Sequence, residues 1–126
     1  MATMIKFRAW DKATSSYRKV LEIEFYPDGE LKKVKVTGLQ RKGTITPDNL
    51  VLEQFTGLTD VNGKDIYEGD IIEVTSQYWG MLGNRYEVKF EQGAFYVKYG
   101  LLSEISPSIS VIGNVHEKPE LLEKKK

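Results

Sequence analysis

Four carboxylates fall close together in the chain: Asp60, Asp65, Glu68 and Asp70. Acids at such spacing are the raw material of a calcium loop. That loop needs a glycine at its sixth position and a glutamate at its twelfth. Counted from Asp60, Gly63 is fourth and Ile71 is twelfth, so the pattern fails twice. Acids that form turns and cap loop amides account better for the cluster. His116 is the single histidine. A metal site built on it lacks partners, and a catalytic role lacks a positioned nucleophile. No G-x-S-x-G is present. With no nucleophile, base and orienting group to assemble, the chain reads as non-enzymatic, with no catalytic residue, metal or cofactor.

Binding chemistry is easier to find. Lys6-Phe7-Arg8-Ala9-Trp10 interleaves bases and aromatics, and Lys98 lies between Tyr96 and Tyr99. Alternation along a strand puts Lys6, Arg8 and Trp10 on one face, a pattern that would stack bases and hold phosphates. Against that, 18 Lys and Arg balance 18 Asp and Glu, which removes any general electrostatic grip on nucleic acid or an anionic membrane. Gly80-Met81-Leu82-Gly83 spells the G-x-x-G that clamps RNA backbone in KH domains, where it joins two helices. Here it sits between strands and reads as a hairpin loop. Its Trp79, Met81 and Leu82 are candidates for an apolar contact with a partner.

The elements that must carry these residues are short and pleated. Strands are expected over residues 5–10, 17–26, 31–37, 50–55, 70–78, 85–91, 94–99 and 109–115. One helical turn is expected over 100–105, stopped by Ser106-Pro107, and another over 119–123. If Asp28-Gly29 is a two-residue loop, Ile23 faces Val34 and Leu21 faces Val36, while Glu24 faces Lys33 and Glu22 faces Lys35. Around Gln92-Gly93, Phe90 faces Phe95, Val88 faces Val97, Tyr86 faces Tyr99 and Glu87 faces Lys98. Residues 55–74 organise the rest. Thr56-Gly57-Leu58 breaks a strand, Asp60-Val61-Asn62-Gly63 makes a turn with an Asp side chain over its amides, and Gly69-Asp70 launches Ile71-Ile72-Glu73-Val74.

At 126 residues the chain is one domain, 1–126, with sub-lobes of about 1–53 and 54–126. The expected fold is all-β with minor helix: an N-terminal antiparallel sheet packed with a small Src-homology-3-like C-terminal β-barrel. The chain has no cysteine, which excludes disulfides and thiol chemistry and suits a reducing compartment. With no long apolar run, a cytoplasmic protein without membrane association is expected.

Three blocks resemble the YopX family of phage and prophage proteins. They are Ile5-Lys6-Phe7-Arg8-Ala9-Trp10-Asp11; the stretch from Gln54-Phe55-Thr56-Gly57-Leu58 through Asn62-Gly63-Lys64 to Tyr67-Glu68-Gly69-Asp70-Ile71; and Val111-Ile112-Gly113-Asn114-Val115 with Pro119-Glu120-Leu121-Leu122. They fall at the front, middle and back of the chain. The resemblance implies a small phage or prophage protein working inside a low-GC Gram-positive host. It carries over no activity and no site residue. The expected partners are a second copy or a phage or host protein, with nucleic acid as the alternative.

Overall fold

The computed structural model describes residues 5–38, 43–76, 82–98 and 100–122. Cα proximity divides the chain into two units, Met1–Gln54 and Phe55–Lys126. Both are β-dominated.

The first unit is an antiparallel sheet. It comprises β1 (Phe7–Asp11), β2 (Ser16–Phe25), β3 (Leu31–Val36), β4 (Thr44–Ile45) and the first half of β5 (Leu50–Thr59), in the spatial order β4-β3-β2-β1-β5. On β1, Arg8 lies opposite Lys19 and Glu53, and Trp10 opposite Tyr17 and Val51. Ala9, Val34, Val36, Ile45 and Leu50 form the buried core, with Val20, Leu31 and Leu52 packed on it. Three of the four expected hairpin pairs form: Glu22 with Lys35, Ile23 with Val34 and Glu24 with Lys33. The fourth does not. A bulge between Val20 and Glu22 brings Val20 opposite Val36 and turns Leu21 outward, where it is 55% exposed. A bulge sets one extra residue against a single partner and so shifts which side chain faces the core. The loop also differs. A second irregularity lies between Glu24 and Phe25, and the Tyr26 amide donates to the Glu30 carbonyl (2.8 Å), so the connection is longer than Asp28-Gly29 alone.

In the second unit, β5 continues past Phe55 instead of ending there, and pairs with β6 (Asp65–Tyr67) at Phe55–Tyr67 and Thr59–Asp65. Between those pairs the ladder is irregular. Gly57 takes a φ of +85°, a conformation open to glycine without steric cost. The Thr56 hydroxyl donates to the Ile66 carbonyl (2.7 Å) and accepts from the Leu58 amide (3.2 Å). The side chain thus stands in for the missing ladder bonds.

β7 (Asp70–Val74) lies between β8 (Arg85–Glu87) and β12 (Ile109–Asn114). β9 (Lys89–Glu91), β10 (Ala94–Val97) and β11 (Gly100–Leu101) form a second three-stranded sheet, followed by α1 (Leu102–Ile105). The expected closed Src-homology-3-like barrel is not what forms: among the described residues the sheets are open. The expected strand over 85–91 is cut at Val88, and its two pieces enter different sheets. Phe90 does face Phe95, but Tyr86 faces Ile72 and Glu87 faces Ile71. The cause is local. The Val88 amide donates to the Asp70 carbonyl and the Gly69 amide to the Val88 carbonyl (both 2.9 Å), which stitches this segment to the start of β7. α1 is the expected single turn. Ser106-Pro107 does not stop the coil but carries it on as a 3-10 turn, Ser106–Ser108. Ile66, Ile72, Val74, Tyr86, Val88, Val97, Leu102, Ile105 and Ile109 make the core. Each fully buried Ile, Leu or Val contributes roughly 1.5–3 kcal/mol, so this cluster, not local propensity, holds the short strands. No helix among the described residues is long and apolar enough to cross a membrane.

Candidate functional site

The basic and aromatic strand β1 is tied into its surroundings. The Arg8 Nε donates to Glu53 Oε1 at 2.8 Å, and the Tyr17 hydroxyl donates to the same oxygen at 2.9 Å. The guanidinium also lies 4.3 Å from the Tyr17 ring centroid, and Trp10 meets that ring edge-on at 5.0 Å. Glu53 is 3% exposed and Trp10 8%. A buried carboxylate that loses its cation is costly, so the first demand on Arg8 is to satisfy Glu53. Lys6 is half-buried. The geometry thus gives Arg8 and Trp10 structural work and leaves little of Trp10 for a base to stack on. Glu53 is the member of this cluster that pattern reading missed. Its signal is an acid directly after the apolar run Leu50-Val51-Leu52, inside the expected strand 50–55.

The carboxylates of the organising stretch do not converge. Asp60 is a hub for amides: Oδ1 accepts from Asn62 (2.8 Å) and Lys64 (2.9 Å), and Oδ2 from Val111 (2.8 Å). Burial pushes its pKa up, and the amide bonds from Val111, Lys64 and Asn62 more than offset this, holding the carboxyl below its ordinary value. Asp70, 2% exposed, accepts from the Tyr67 amide (2.8 Å), the loop-capping role expected of the Gly69-Asp70 step. Asp11 behaves like Asp60. Burial raises its pKa, while bonds from the Thr14 hydroxyl, the Ala13 amide and Arg18 lower it further than burial raises it. Among the described residues no three His, Asp or Glu side chains are grouped to hold a metal ion. His116 is half-buried, with its amide donating to Asn114 Oδ1 (3.0 Å).

Of the expected partner-contact loop, Trp79 and Met81 lie outside the described residues, and Leu82 is 53% exposed. Tyr99 is also outside them; Lys98 is exposed, and the Tyr96 hydroxyl donates to Glu91.

Two surfaces stand out. In the first unit, β1 pairs with β2 only as far as Lys19 and β4 pairs with β3 only at Val34 and Lys35, so among the described residues the outer edge of β2 is open from Val20 onward and the end of the β2–β3 hairpin, from Glu24 to Lys33, projects as a two-stranded ribbon. Leu21 on the open edge and Phe25 and Tyr26 on the ribbon are 55%, 56% and 50% exposed. On it Glu24 lies between Lys32 (3.2 Å) and Lys33 (3.5 Å). In the second unit, Gly57, Leu58, Thr59, Asp60 and Val61 face Ser106 and Pro107 across an open cleft of about 480 Å³.

A model of the YopX protein family matches residues 6–123. The fold is similar to the crystal structure of protein EF1440 from Enterococcus faecalis, with 26% sequence identity, coverage of 97% of this chain and 100% of that one, and a TM-score of 0.72. No curated protein matches. With the family model spanning nearly its whole length, the chain belongs to the YopX family.

Proposed function

We propose that this protein is a non-enzymatic phage or prophage accessory protein that works by binding, to a second copy of itself or to a phage or host protein. The observation that carries this reading is the β2–β3 ribbon. Among the described residues no strand pairs with the outer edge of β2 beyond Lys19, and Leu21 and Phe25 there are more than half exposed. An open strand edge offers main-chain donors and acceptors to another chain. A partner strand on that edge would pair them and cover the exposed apolar side chains beside it. In the second unit, exposed Leu82 is a separate apolar contact for a partner.

The test pairs sedimentation across a concentration series with capture from induced cells after nuclease treatment. The native protein is expected to self-associate or to keep a nuclease-resistant protein partner, and Leu21→Lys with Phe25→Lys is expected to lose it. A monomer that retains no protein after nuclease treatment would overturn the reading.

A further inference from the structure

The turn after β5 carries a chemistry separate from the open edge of β2. Asn62 is followed by Gly63, whereas Asn49, Asn84 and Asn114 are followed by Leu50, Arg85 and Val115. Asn62 and Gly63 are both exposed. The side-chain carbonyl carbon of an asparagine lies within reach of the next residue's amide nitrogen, and attack by that nitrogen closes a succinimide ring. A side chain on the next residue hinders the approach; glycine has no Cβ to do so.

Three contacts oppose this attack in the folded turn. The Gly63 amide must lose its proton to become a nucleophile, and here it donates that proton to the Asp60 carbonyl (3.0 Å). The Asn62 side chain must swing toward the Gly63 nitrogen, and its Nδ2 donates to the Ser110 hydroxyl oxygen on β12 (3.3 Å). The ionised Asp60 carboxylate accepts from the Asn62 and Lys64 amides on either side (2.8 and 2.9 Å), and a negative charge there disfavours a second one forming on the Gly63 nitrogen. All three are lost when the turn opens. Local opening takes less free energy than global unfolding, and chemistry on a transiently opened segment tracks the open population.

We propose that Asn62-Gly63 is a self-modifying site whose rate is set by opening of the Asp60 turn. The Gly63 nitrogen gives its proton to water and bonds to Asn62 Cγ. The Cγ–Nδ2 bond breaks, and the released nitrogen takes up a proton and leaves as ammonia. Water, the one co-reactant, then opens the succinimide. Its attack at Cγ leaves aspartate at 62. Its attack at the main-chain carbonyl carbon leaves isoaspartate, in which the chain runs on through Cβ and Cγ. The two products act differently on the fold. Aspartate keeps the main chain, and its carboxylate accepts from the Ser110 hydroxyl. Isoaspartate lengthens the chain between the Asn62 and Lys64 amides, so Asp60 Oδ1 cannot keep both, and it sets a second carboxylate beside Asp60. The Asp60 bond from the Val111 amide (2.8 Å) weakens with them, and β12 loosens from the turn. Time spent with the turn open thereby accumulates as a weaker junction of β5, β6 and β12.

The experiment incubates the full chain at neutral pH, folded and in urea. Peptide mass spectrometry with enzymatic methyl labelling of isoaspartate maps the products. Conversion is expected at Asn62 ahead of Asn49, Asn84 and Asn114, and about tenfold or more slower in the folded protein than in urea. Ser110→Ala should speed the folded reaction about twofold, the value of one weak exposed hydrogen bond, and leave the rate in urea unchanged. The Val111 amide should exchange hydrogen faster in the isoaspartate product than in the aspartate product, and Asn62→Asp made directly should match the latter. No conversion at Asn62 in urea would overturn the site. Equal rates in the folded and unfolded chain, or a folded rate unmoved by Ser110→Ala, would overturn its control by the turn. Equal Val111 exchange in the two products would overturn the link to β12.

Discussion

A single carboxylate can hold three segments when it takes the amides that a turn leaves over. Asp60 does so for Asn62 and Lys64 within its own turn and for Val111 on β12. Three charge-assisted bonds to one buried acid stabilise the ionised form. Asp60→Ala is therefore expected to destabilise the protein by about 2–4 kcal/mol, because the amides lose their acceptor and at least one stays dry. Asp60→Asn keeps one acceptor oxygen but turns a donor toward the remaining amide, and should cost about 1–2 kcal/mol. Urea denaturation at pH 7 measures both. The same carboxyl sets a pH dependence. The folded pKa values of Asp60 and Asp11 lie below the ordinary 3.8. The unfolded chain therefore takes up protons first, and the stability these groups add is complete above pH 3.8. It declines as pH falls below that value toward their folded pKa values. Asp60→Asn should flatten this acid limb, and an unchanged limb would show that other carboxyls carry it.

Between residue and fold, irregular positions decide the architecture. Thr56 is the clearest case: its hydroxyl donates to the Ile66 carbonyl and accepts from the Leu58 amide, which lets β5 run through Gly57. Thr56→Val keeps the shape and removes both bonds. It is expected to cost about 1–2 kcal/mol and to speed hydrogen exchange at Leu58 first; unchanged exchange there would mean that other groups hold the bulge. Such devices explain what was legible in the chain. Strand existence followed from alternation, and three pairs of the β2–β3 register followed from matching Glu22 to Lys35, Ile23 to Val34 and Glu24 to Lys33. The Asp60 turn and the Gly69-Asp70 step were legible because their side chains act on their own neighbours. The bulge at Leu21 and the break at Val88 were not. Each depends on a main-chain partner far away in the sequence, and a one-residue shift leaves the pattern of residue types unchanged. The cleft was hidden for the same reason, since Ser106 meets residues 57–61 only once the chain is folded.

For the molecule as a whole, charge balance and burial together weigh on the choice of partner. Equal numbers of acids and bases give no long-range field to gather a polyanion, so nucleic-acid affinity would have to come from a local patch. The best local patch is β1, and there the Arg8 guanidinium sits on Glu53 and Tyr17 while Trp10 is 8% exposed. Releasing Arg8 to a phosphate would take the cation from a carboxylate that is itself 3% exposed, and breaking a buried ion pair costs about 3–5 kcal/mol. That penalty exceeds what a phosphate contact returns at ordinary salt. Anisotropy titration with a short single-stranded oligonucleotide is therefore expected to show no saturable binding tighter than about 100 µM, the weak end of non-specific association. Arg8→Ala should leave that baseline unmoved and lower folding stability instead, by about 3 kcal/mol. A titration that saturates at low micromolar protein, weakens steeply with salt and disappears in Arg8→Ala would assign the strand to nucleic acid and displace the protein-binding reading.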